Sequence, residues 1–143
     1  MAALRAADPQ TPLAWVGAPV KPPTLATTRL AEVWAHGLDI TTGLGQDLPD
    51  TGRLRHIAWL AHRTLPYAFA VSGGEPRDIY CDLVAPDGSS WQFGSPEADS
   101  AISGPAGQFC RVAARRLAPE HSRLQARGPH GQTALRLLRT YAA

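Results

Sequence analysis

Two cysteines and one methionine are all the sulfur this 143-residue chain contains, and aromatic residues make up only 7% of it. So few cysteines exclude a disulfide scaffold, and Cys81 and Cys110 sit in segments that read as core, where a free thiol behaves as a small apolar group. Charge of one sign is also scarce: the formal net charge is +2, too small to argue for nucleic acid. No apolar run approaches the roughly 20 residues of a membrane span, and the N-terminus lacks the unbroken apolar core of a secretory signal. A cytoplasmic protein is expected. Nucleophile elbow, P-loop, dinucleotide fingerprint and C-x-x-C pair are all absent, and no Ser, His and acid stand at spacings that imply a triad. What is abundant is Gly and Pro, 13 of each, which with 44% hydrophobic content predicts a globular chain with many turns.

Residues 1–23 read as a proline-rich arm, because each of Pro9, Pro12, Pro19, Pro22 and Pro23 removes an amide donor and restricts its predecessor. Trp15 and Val16 are its candidate anchors. A helix over 24–40 follows, capped near Thr24, with Leu25, Leu30, Val33, Trp34 and Leu38 around more than one stripe. Such a helix needs neighbours on several sides. A second helix runs from about 52 to 71, where Pro66 is expected to kink or divide it. Beyond Gly73-Gly74, strict alternation of Ile79, Cys81, Leu83 and Ala85 predicts a half-buried strand, and Pro86-Asp87-Gly88 turns it into a hairpin with Ser90 to Phe93. Short strands near 99–103 and 123–126, a helix over 105–117 and a last helix from about 131 to 141 complete an α+β domain over 52–143, with a small antiparallel or mixed sheet packed against helices. The arrangement is similar to sterol-carrier-like domains.

Chemistry concentrates in Arg29 to Ile40. Glu32 and His36 are four residues apart, so on a helix both project from one face and reach a single ion. Asp39, three residues further on, is placed to orient the imidazole or to act as a third ligand. Zinc in a catalytic site takes three protein groups and a water, so another donor must come from elsewhere. The competing reading is a solvated Glu32, a His36 that caps the helix end, and an accidental spacing. His56 and His62, six residues apart, fall on different helix faces and read as ordinary structural or surface histidines. Arg111 and Arg115, one turn apart, are candidates for binding a carboxylate or an acidic thiol cofactor; a solvated basic face is the alternative.

The run around Glu32, Trp34, His36, Gly37 and Asp39 resembles the metal-binding helix of the actinobacterial maleylpyruvate isomerase-like proteins, a DinB-related group that includes mycothiol-dependent members. Arg53-Leu54-Arg55-His56-Ile57-Ala58, Tyr67-Ala68-Phe69-Ala70, Leu83-Val84-Ala85-Pro86-Asp87-Gly88, Trp91-Gln92-Phe93-Gly94 and Ser103-Gly104-Pro105-Ala106 continue the likeness through that group's C-terminal domain. The resemblance implies that Glu32 and His36 ligate a divalent metal, zinc first, while an earlier bundle helix, without counterpart here, supplies a further His. It also implies a low-molecular-weight thiol and a small-molecule substrate for isomerisation or transfer, and pairing of the 24–40 helix with a second copy or with the chain's own arm. Two other classes stay open: a metal-free domain in which Trp59, Tyr67, Phe69 and the hairpin aromatics enclose an apolar pocket for binding or cyclising a small molecule, and a non-catalytic association module.

Overall fold

The computed structural model describes residues 5–14 and 19–141. The anchoring expected of Trp15 and Val16 lies outside them. In the arm, Leu13 and Val20 form an isolated antiparallel bridge. Helix α1 spans Pro22–Gly43, two residues earlier and three later than expected. Its start is made by proline and not by a Thr24 cap: the ring fixes φ, and the amide it lacks would have had no acceptor in the first turn. It ends in a Schellman turn, with Gly45 at φ 64° and the amide of Gln46 donating to Thr41 O at 2.8 Å.

Helix α2 (Leu54–Val71) is the spine of the domain and runs unbroken through Pro66. The expected division does not occur. Pro66 itself is exposed, on the side of the helix away from the core. On the opposite side Ile57, Ala58, Ala61, Leu65 and Ala68 are buried. They pack against a sheet of β1 (Ile79–Val84), β2 (Ser90–Phe93), β3 (Ser100–Pro105) and β4 (Gln125–Arg127).

The strand order is β2-β1-β3-β4, antiparallel except for the β1/β3 pair. The expected mixed sheet is therefore found, with β2 and the short loop after it serving as the crossover that parallel strands require. The burial of β1 alternates as its sequence does, Ile79, Cys81 and Leu83 facing in. Its outer face joins a polar row across the sheet, in which Gln92, Asp82, Ser103 and Gln125 stand in register.

Helix α3 (Ala106–Ala113) follows β3 directly and buries Phe109, Cys110, Val112 and Ala113. A 3-10 turn (Pro119–His121) precedes β4, and α4 (Gly131–Leu137) closes the core with Ala134 and Leu135. Both α3 and α4 are shorter than expected, by four residues each at the C-terminal end. Cys81 and Cys110 are buried and free. Burial pushes the Cys81 thiol up to about 12 and raises that of Cys110 as well, so neither is a nucleophile at neutral pH. Among the described residues no helix is long and apolar enough to cross a membrane.

Candidate metal and anion clefts along α1

Helix α1 touches the domain through Ala31, Ala35 and Leu38, small or branched residues that let it lie close along α2. This packing fixes the rotation of the helix, and with it the direction of its acidic and imidazole groups. Glu32 and His36 line one cleft of about 120 Å³, closed on its other side by Ala114, Arg116, Thr140 and Tyr141. The pair expected from the sequence is therefore presented from one helix face to one space. Glu32 accepts from Arg29 at 2.6 Å in an exposed ion pair, and the His36 side chain is 75% exposed. Neither is consumed by the core.

Asp39 is placed differently. Its carboxylate makes a two-pronged contact with Arg116, Nε to Oδ1 at 3.0 Å and Nη2 to Oδ2 at 2.6 Å. The nearer oxygen is 3.8 Å from His36 Nδ1, beyond hydrogen-bond range. Among the described residues no three His, Cys, Asp or Glu side chains are grouped so as to hold a metal ion. The donor set of one chain is thus a carboxylate and an imidazole from one helix, which fits two positions of a zinc shell.

The Arg116 guanidinium beside Asp39 holds that carboxyl below the ordinary carboxylate range, chiefly by hydrogen bonding. A folded value below the unfolded one means that the pair contributes fully at neutral pH, and that its contribution fades as pH falls through the acid range where the carboxylate takes up a proton. Arg116→Met is expected to return the Asp39 carboxyl to ordinary titration. An NMR pH titration of its side-chain carbon checks this, and an unchanged midpoint would show that the arginine is not the cause.

Arg111 and Arg115 do not form the pair that helical spacing predicts. Helix α3 stops at Ala113, and Arg115 stands beyond it at φ 62°. The amide of Arg115 donates to Val112 O at 3.0 Å and that of Arg116 to Arg111 O at 2.8 Å, the pattern of a Schellman turn with arginine where glycine is usual. Arg115 consequently points to Arg136 O, at 3.3 Å. Arg111 is no solvated cation either: it donates to Asp50 at 2.7 Å and Gly107 O at 3.1 Å, and its guanidinium lies over Trp34 at 5.8 Å.

The tight turn brings Arg116, not Arg115, beside Arg111. Together with Leu38, Asp39, Thr42 and Gly43 they line a second cleft of about 420 Å³, adjoining the first. Arg116 is the residue that sequence reasoning passed over. The missed signal was the end of the apolar run at Ala114, which already allowed a helix one turn shorter.

The other sequence candidates resolve as structural. His62 Nε2 is 2.9 Å from Ile79 O, its ring stacked on Phe93 at 6.0 Å, and His56 is exposed. Of the aromatics expected to enclose a pocket, Trp59 and Phe93 pack against the hydrophobic core. Phe69 and Trp91 are buried in the core, while Arg63 covers Trp59 and Arg139 covers Tyr67. None of these rings lines either α1 cleft.

Two uncharacterized proteins from two strains of Mycobacterium tuberculosis are each 38% identical over 132 residues, which is 91% of this chain and 51% of theirs. The chain thus spans about half the length of the curated relatives it matches. A family model, that of the mycothiol maleylpyruvate isomerase N-terminal domain, matches residues 1–41, which take in the arm and all of α1 that carries Glu32, His36 and Asp39. Over residues 1–41 the chain is thus similar to the mycothiol maleylpyruvate isomerase N-terminal domain, and over 132 residues to the two mycobacterial proteins.

Proposed function

We propose that this chain contributes half of a divalent-metal site to a maleylpyruvate isomerase-like protein that acts on a small molecule by isomerisation or thiol-dependent transfer. The observation that carries the reading is the convergence of Glu32 and His36 on one accessible cleft. Zinc bound there would polarise a carbonyl or lower the pKa of a thiol. The chain's own groups do the rest. Glu32 offers a carboxylate and His36 an imidazole, while Asp39 engages Arg116 and so does not compete with them for the ion. Arg111 and Arg116 line the adjoining cleft, each paired with a carboxylate of the chain, Asp50 and Asp39, so a carboxylate of a substrate or of a low-molecular-weight thiol would bind there by sharing or displacing those partners. The remaining metal ligands come from outside this cleft.

His36→Ala tests the ligand role. Zinc affinity, followed by isothermal titration, is expected to fall by at least about tenfold, the scale on which even a supporting residue of a metal site acts. The far-UV spectrum is expected to stay unchanged, because the side chain is exposed. Zinc uptake equal to that of the parent protein would sink the assignment.

A further inference from the structure

The two cations of the second cleft are both engaged, but not by equally firm partners. Arg116 is held by Asp39 of helix α1 through two prongs, and its Nη1 donates to Ala114 O at 2.6 Å. Arg111 instead directs its terminal nitrogens at the loop between α1 and α2, residues 44–53. Nη1 donates to Asp50 Oδ1 at 2.7 Å and Nη2 to Leu48 O at 3.5 Å. An arginine grips a carboxylate best with two parallel N–H groups. At Arg111 the loop occupies both.

That loop is weakly tied to the rest of the fold. From residue 42 to 53 only Leu48 is partly covered, and among the described residues 47–50 make no backbone-to-backbone hydrogen bond. Two contacts pin them. Leu48 lies against Gly37, where an added Cβ would be 3.5 Å from its Cδ2, and the Asp50 carboxylate sits on the first turn of α3, where a Cβ at Gly107 would overlap it. A segment with so few buried contacts opens at far less cost than the whole domain. Arg111 has other support: Nη1 also donates to Gly107 O at 3.1 Å, and the guanidinium lies over the Trp34 ring.

We propose that residues 47–50 are a strap that closes Arg111 at rest, with Asp50 standing in for a ligand carboxylate, and that a small carboxylate ligand binds by exchanging with Asp50 and lifting the strap; this rests on the anion-binding role proposed above for the cleft of Arg111 and Arg116. Asp50 is the displaceable partner, because one prong from an exposed loop holds less firmly than the two that Asp39 offers from a helix. Arg111 is only 25% exposed, and a half-buried cation is costly without a counter-charge. Exchange keeps one carboxylate on it in either state.

Binding of succinate, a plain dicarboxylate probe, is followed by NMR together with the order parameters of the amides of residues 47, 48 and 50. In Asp50→Ala the affinity is expected to rise about fivefold, the upper end of what a partly exposed ion pair contributes. The three order parameters are expected to fall from about 0.85 to below about 0.6, with the far-UV spectrum retained. Saturating succinate should loosen the same amides in the parent protein. Asp47→Ala, which removes the same charge from the same exposed loop, is the control and is expected to behave as the parent. Succinate bound equally by Asp50→Ala and the parent would overturn the exchange and leave the anion role of the cleft standing. No binding by either protein would remove both. An Asp50→Ala loop as ordered as that of the parent would show that the carboxylate does not hold the strap, and overturns it as well. So would binding that persists in Arg111→Gln, since the ligand would then not be at that guanidinium.

Discussion

Gly128→Ala is expected to destabilise the protein by about 3 kcal/mol or more, among the largest effects a single methyl can have. Gly128 follows β4 at φ 81°, a region that costs an L-residue about 1–2 kcal/mol. Strain is the smaller part. A Cβ there would overlap Asp99 O and lie 2.7 Å from Ser100 Cα. Both atoms are backbone, so no side chain can swing aside to make room.

Relief requires lifting the end of β4 away from the start of β3. That move breaks the Ala101–Arg127 register and the bond from the His130 amide to Ser100 Oγ at 3.0 Å. Ser100 is fully buried, so its hydroxyl would lose an acceptor role that water cannot restore. At a urea m-value of about 1–3 kcal/mol/M, the unfolding midpoint is expected to drop by roughly 1 M or more. Gly43→Ala is the control: nothing lies within 4 Å of the added methyl. Equal midpoints for the two variants would refute the close-approach argument.

Phe109→Ala is expected to cost about 3–5 kcal/mol, the range for emptying the site of a fully buried aromatic ring. Phe109 is completely inaccessible and is the largest of the fully buried side chains. It belongs to a core built from α2, the inner face of the sheet and α4. The consequence reaches the clefts. Helix α3 carries Arg111, and the turn at its end carries Arg116, so a loosened α3 no longer holds either guanidinium against α1. Phe109→Ala should therefore also weaken the Asp39–Arg116 pair, visible as a rise in the Asp39 titration midpoint. A destabilised variant with the Asp39 midpoint unmoved would show that α1 and α3 are less coupled than the contacts imply.

Elements with a clear period were legible before the fold was known. The alternation of Ile79, Cys81, Leu83 and Ala85 describes β1, since a strand between helices and solvent must bury every second residue. The apolar spacing of α2 is equally direct, because one side meets the sheet and the neighbouring helices and the other meets water. Ends of helices were not legible, and each error has a local cause. The prolines expected just upstream of α1 lie inside its first turn, where a missing amide costs no bond. Arg115 adopts a left-handed conformation that residue type alone argues against, because the backbone bonds of the turn and the burial of α3 outweigh the steric cost. Pro66 was expected to break α2, but a proline on the solvent side removes little that water cannot replace.

The sequence by itself determined that this is a small α+β chain with its metal-type residues on one helix, because hydrophobic period and four-residue spacing are properties of the chain in order. Which groups share a cleft was decided only in three dimensions. Glu32 and His36 stayed together since one helix carries both, while Asp39 was drawn off by Arg116, 77 residues further along. Arg111 acquired Arg116 as its neighbour, and Arg115 was turned away. Distances between segments depend on where helices stop and how closely their small residues let them pack, and neither is encoded in the spacing of residues along a single segment.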